Sequence, residues 1–126
     1  MSELNINKFE LYVLAREYSR LAWKIFSALP KPVQFKTGFQ FLESSDSVSA
    51  NIAEGYGRYH YKDKRNFEYN SRGSLLESIN WAEILNERGL VSTLDFEEFV
   101  SLGNKLSVKL NNHISYLNSQ SPHTNP

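Results

Sequence analysis

The chain has 126 residues, 14 basic and 14 acidic side chains, and no cysteine. A chain of this length fits one domain with its own core. The missing thiols exclude disulfides and thiolate metal sites. The balanced charge removes the basic excess on which most free-standing nucleic-acid binders draw. No run of about 18 apolar residues is present to span a membrane, and Met1–Asn5 lacks the basic and apolar regions of a signal peptide, so a cytoplasmic protein with no membrane partner is expected.

Helical spacing runs through almost the whole chain, and strand alternation is absent. Leu11, Leu14, Ala15, Tyr18, Leu21, Ala22, Ile25 and Leu29 recur at three- and four-residue steps and draw one apolar stripe. Asn7 and Glu10 read as a capping box ahead of it, and Pro30 and Pro32 end it. A second helix starts near Pro32, with Phe35, Phe39, Leu42, Ser45/Asp46, Ser49, Ile52/Ala53 and Tyr56 on one face, and Gly55 or Gly57 as its left-handed stop. The third carries Phe67, Ser71, Ser74/Leu75, Ser78/Ile79, Ala82 and Leu85, and stops at Gly89. Ser92 and Asp95 then cap a fourth, with Phe99, Leu102, Leu106, Leu110, His113 and Leu117 inward. The expectation is a single all-α domain over residues 1–126, an antiparallel up-down-up-down four-helix bundle. Its helices lie at roughly 8–29, 32–56, 62–88 and 93–118, and residues 119–126 form a disordered polar tail.

Two stretches break the usual pattern of large core residues. One is Ser47-Val48-Ser49-Ala50-Asn51-Ile52-Ala53-Glu54-Gly55-Tyr56-Gly57-Arg58, and the other is Gly73-Ser74-Leu75-Leu76-Glu77. Small residues there let two helices approach closely, with serines bonded back to their own helix. Asp46, Asn51, Glu54, Ser74 and Glu77 form a candidate polar cluster, with Arg58 or Arg72 as counter-ions. Such a cluster either fixes helix register or lines a ligand pocket; register is the simpler reading.

The same residues carry a family likeness. Ser47-Val48, Ala50-Asn51-Ile52-Ala53-Glu54-Gly55, Gly57-Arg58, Phe67 and Gly73-Ser74-Leu75 with Glu77 resemble the signature of bacterial four-helix bundle proteins. These are also called 23S rRNA-intervening-sequence or S23-type proteins, and the likeness covers roughly residues 9–118. The resemblance implies a bundle that assembles as a homopentameric ring, without enzymatic activity. A distant relative, the accessory protein of diversity-generating retroelements, binds nucleic acid and a reverse transcriptase. Glu43 and Asp46 depart from the family pattern by adding negative charge.

No motif fixes a reaction. No glutamate has histidine three residues later, as di-iron bundles require, and His60, His113 and His123 are isolated from one another. His113 lies on an apolar stripe, where a core or interface histidine is the simpler reading than a metal ligand. Gly55-Tyr56-Gly57 lacks the third glycine and the preceding strand of a dinucleotide fingerprint. No catalytic residue, metal or cofactor is therefore expected. The best nucleic-acid candidate is the basic, aromatic run Arg58, Tyr59, Tyr61, Lys62, Lys64 and Arg65, where cations meet phosphates and rings stack on unpaired bases. Tyr12, Trp23, Phe26, Phe41, Tyr69 and Trp81 fall off the main stripes and suit a second buried face between subunits, or a wider core. Two functions stay open: an RNA- or nucleoprotein-associated module, and a scaffold that binds a protein partner without nucleic acid.

Overall fold

The computed structural model describes residues 5–120. After a short 3-10 turn at Ile6–Lys8 come four long helices: α1 (Glu10–Ser27), α2 (Phe39–Tyr56), α3 (Tyr61–Glu87) and α4 (Thr93–Gln120). Among the described residues there is no strand. Each helix packs on its neighbours in sequence, and α1 also packs on α4, which closes a four-helix bundle. The connections at 57–60 and 88–92 are short enough to force reversal between packed neighbours. None of these helices is long and apolar enough to cross a membrane.

The centre of the core is aromatic. Tyr18 is fully buried and stacks on Phe99 at 4.2 Å between ring centroids, and Phe41 tilts onto Phe99 at 5.1 Å. Ser78 Oγ donates to the Leu75 carbonyl at 2.7 Å, so its remaining role is to accept the Tyr18 hydroxyl proton at 2.6 Å. Burial pushes the Tyr18 phenol well above its ordinary value, with the Ser78 bond opposing the shift. The tyrosine therefore stays neutral.

The second helix departs from its expected phase. A single turn (Lys31–Val33) leads into a wider π turn (Gln34–Gly38) before α2 begins. A π turn bonds each N–H one residue further back than an α turn, so the face presented afterwards rotates. Phe35, inside the π turn, and Phe39, just after it, point outward, 79% and 50% exposed, and Phe41 is the aromatic that enters the core. Gly38 makes this turn possible: an added Cβ would sit 2.9 Å from the Val33 carbonyl oxygen and 2.9 Å from Leu29 Cδ1.

The helix ends also depart from the expected caps. Asn7 lies in the 3-10 turn, and Phe9 occupies the first cap position without a side-chain bond, so the Asn7–Glu10 box does not form. Neither Gly55 nor Gly57 is left-handed; Gly57 has φ −78° and stays helical. The terminal carbonyls of α2 are instead taken by Lys64, whose Nζ donates to Tyr56 O at 3.0 Å. Gln34 does the same for α1, donating to Phe26 O and Leu29 O, both at 3.1 Å. Gly89, at φ +69°, ends α3 as expected, and Ser92 Oγ accepts the Asp95 N–H at 3.1 Å ahead of α4.

Close approach of α2 and α3 uses small residues as expected, with Gly55 in place of Gly73 as the glycine at the contact. Ser71 reaches across from α3 to donate to Val48 O at 2.8 Å, while Ser45 bonds back to Phe41 O at 2.7 Å. Gly73 lies on the outside, where an added Cβ would meet open space. Gly55 is the glycine at the helix–helix approach: its Cβ would fall 3.1 Å from Phe67 Cβ and 3.2 Å from Lys64 O. Those neighbours are tied to the α3 backbone and yield only if the helix moves. Gly73→Ala should therefore raise stability by about 0.5–1 kcal/mol through helix propensity. Gly55→Ala should lower it, because overpacking of about 1–3 kcal/mol exceeds the same gain. Urea midpoints of the two variants check this; equal shifts of one sign would contradict the packing described.

Candidate nucleic-acid interface

One end of the bundle gathers the start of α1, the end of α2, the first turns of α3 and the last turns of α4. The basic, aromatic run lies there, but only residues 57–60 are outside helices; Tyr61, Lys62, Lys64 and Arg65 begin α3. The structure divides the six candidates. Tyr59 is 89% exposed at the tip of the loop, and Lys62 is exposed beside it. Arg58 pairs with Glu54 at 3.3 Å and lies over the Phe67 ring at 4.8 Å, yet remains half exposed. Exposed pairs of this spacing contribute only about 0.3–0.5 kcal/mol, so a phosphate can replace the glutamate. Tyr61 meets Tyr116 edge to face at 6.5 Å.

Lys64 and Arg65 are occupied in the fold. Lys64 closes α2, and burial pulls its ammonium below the ordinary lysine value, with the charge of Glu68 opposing. Arg65 donates to Asn118 Oδ1 at 3.1 Å, clamping α3 to α4.

The expected polar cluster is not a single group. Asn51 Nδ2 and Ser74 Oγ both donate to Ser47 Oγ, each at 3.0 Å, forming a small bridge between α2 and α3. Glu54 turns outward to Arg58, and Glu77 accepts from Trp81 Nε1 at 3.2 Å on its own helix. Arg72 serves Asn111 rather than any carboxylate of the cluster. Asp46 faces α1 across a groove of about 610 Å³, with Trp23 and Tyr12 on its wall and Ala50 and Ala53 on its floor. Partial burial raises the Asp46 carboxyl above its ordinary value, offset by the nearby Ser19 hydroxyl and Arg16. These residues are separated because helical geometry sends 46, 50 and 53 to one side of α2 and 47 and 51 to another.

A different polar pair proves to be the buried one. Glu68, only 3% exposed, receives His113 Nδ1 at 2.6 Å on Oε2. Its Oε1 is buried and has no hydrogen-bond partner among the described residues. The pair borders a cleft of about 170 Å³. Aromatic rings surround it: Phe9 lies 5.4 Å from Tyr56 and 5.1 Å from His113, and Tyr116 lies 5.8 Å from His113. His113 is thus mostly buried and paired with a carboxylate of the neighbouring helix. Glu68 precedes Ser71 and Leu75 at core spacing, a signal that its charge obscures in the sequence. It lies 22 residues before Leu90, and His113 lies 23 after it, so an α3–α4 hairpin brings them level. His123 lies outside the described residues. Among the described residues, no three histidine or carboxylate side chains gather as a metal-ligand set.

The sequence profile of the family described as 23S rRNA-intervening sequence protein matches residues 7–112. The chain belongs to that family. The 23S rRNA-intervening sequence match spans the first three helices and most of α4, including most of the cleft. A solved relative supports the fold. The crystal structure of a protein of unknown function from the S23 ribosomal protein family of Bacteroides thetaiotaomicron VPI-5482, at 1.70 Å resolution, superposes with a TM-score of 0.77. It is 19% identical, and the alignment covers 82% of this chain and 97% of that one. No curated protein matches the chain.

Proposed function

We propose that this chain is a non-enzymatic, self-assembling bundle of the bacterial cytoplasm whose loop end binds RNA. The observation that carries the proposal is Tyr59, exposed at the loop tip between two cations, Arg58 and Lys62, that are available to phosphate. The family description, which names ribosomal RNA insertions, is consistent with it. Outward-facing Phe35, Phe39 and Trp23 supply apolar area for subunit packing, and the family resemblance suggests five subunits in a ring. That ring would repeat the loop end and multiply weak binding by avidity.

The second function, a protein-binding scaffold, is favoured by the groove between α1 and α2, where Trp23 and Tyr12 flank a floor of small residues. Light scattering on a sizing column with absorbance at two wavelengths gives subunit number and co-purifying nucleic acid together. RNA titrations at several salt concentrations then test the loop. Arg58→Ala and Lys62→Ala each remove one cation that pairs with phosphate. Either should reduce the salt slope by about 0.7 for a single strand, whatever its sequence. Binding that is absent, or indifferent to salt, would remove RNA and leave the scaffold.

A further inference from the structure

The cleft at the loop end contains a buried acceptor without a donor. Glu68 lines the cleft, and its Oε1 is buried and unpartnered among the described residues. A carboxylate oxygen so placed loses hydration without compensation unless something donates to it. His113 holds the other oxygen, which fixes the carboxylate plane. Aromatic faces wall the space, and Lys64 stands close enough to Glu68 for their charges to interact.

We propose that this cleft binds one unpaired nucleobase, with guanine favoured. The proposal rests on the RNA-binding role above and extends it from phosphate pairing to base selection. Size is the first argument. At about 170 Å³ the cleft is smaller than the ~300–1,000 Å³ pockets that enclose drug-sized ligands, so it takes a single ring system. The walls are the second: Phe9, Tyr56, Tyr61 and Tyr116 offer π-faces of the kind on which splayed bases stack. Donor pattern is the third. Guanine presents two adjacent N–H donors on its Watson–Crick edge, N1–H and N2–H₂, and both can converge on Oε1, the oxygen that His113 leaves free. Adenine and cytosine pair their amino group with a ring-nitrogen acceptor that repels it, and uracil flanks its one N–H with carbonyls. Charge is the fourth. Lys64 already places a cation near Glu68, so a neutral base is favoured over a guanidinium of similar shape.

The test uses the full chain and uridine oligomers carrying one central guanosine, inosine, adenosine or uridine, with binding followed by fluorescence anisotropy at low salt. The guanosine oligomer should bind about tenfold tighter than the all-uridine one. Inosine, which lacks the N2 amino group, should fall between them. Glu68→Gln should remove the preference while leaving the all-uridine affinity within about twofold, whereas Arg58→Ala should weaken every oligomer alike. Free guanosine and N-acetyl-arginine amide, titrated against the wild-type His113 ring signals by NMR, keep the proposal testable if the Glu68 variant does not fold. Oligomers bound equally well, with salt dependence intact, overturn the base pocket and leave RNA binding standing. Saturable His113 shifts with guanosine, but no oligomer bound, sustain the pocket and remove the RNA role. A stronger response to the arginine amide than to guanosine overturns the pocket as a base site.

Discussion

Phe41→Ala should lower stability by about 3–5 kcal/mol, while Phe39→Ala, two residues away, should change the fold's intrinsic stability by under about 1 kcal/mol. Phe41 is fully buried against Phe99, which in turn stacks on Tyr18, so truncation opens a cavity at the meeting point of three helices. Against a typical domain stability of about 5–15 kcal/mol, such a loss approaches unfolding. Phe39 already faces outward. Denaturation at several protein concentrations separates the two residues. The loss at Phe41 should be independent of concentration, whereas any loss at Phe39 should grow on dilution, as for a residue between subunits. A larger, concentration-independent loss at Phe39 would mean that Phe39, and not Phe41, faces the core in solution.

The second large effect is expected at His113. Removing the imidazole in His113→Ala strips Glu68 Oε2 of its partner and leaves a carboxylate, 3% exposed, with both oxygens unpaired among the described residues. Leaving a buried carboxylate without its partner in this way costs about 3–5 kcal/mol. The nearby Lys64 cation places the expected value at the lower end, about 3 kcal/mol. Replacing both partners, as Glu68→Leu with His113→Leu, should be neutral or stabilising, because no charge is then left buried. A double-mutant cycle read by thermal melting makes the comparison. If the double variant is as damaged as His113→Ala, the loss comes from packing around the aromatic rings and not from the stranded carboxylate.

How far the sequence could be read depended on the regularity of the backbone beneath it. In α1 and α4 an uninterrupted α period carries Leu14, Tyr18 and Ala22, or Phe99, Leu106 and Leu110, to the core, and the stripes are visible in the letters. In the second segment the count began from the wrong residue: Phe35 faces outward, so a period drawn from it selects Phe39, whereas the buried positions run Gly38, Phe41, Ser45, Val48 and Ile52. Glycines were legible only where φ is positive: Gly89 was, while Gly55, read as a stop, is the glycine at the helix contact and Gly73, read as a contact, faces open space, because neighbour distance is a tertiary property. The basic run was visible as a run, but sequence could not tell that Lys64 and Arg65 would be used to join helices. Glu68 was hidden by its type, since a carboxylate on a core stripe is ordinarily assigned to solvent.

The side chains that close the helix ends bear on motion. Gln34, from the segment after α1, holds the last carbonyls of α1, and Lys64, from the first turns of α3, holds those of α2. Neither end can fray until the following segment releases it. Amides in these final turns should therefore exchange with solvent only in openings that include the neighbouring helix start, not as independently loosened tips. The loop end that carries Tyr59 then stands on a cooperatively locked base, and a ligand seated there would report on the two helices it joins.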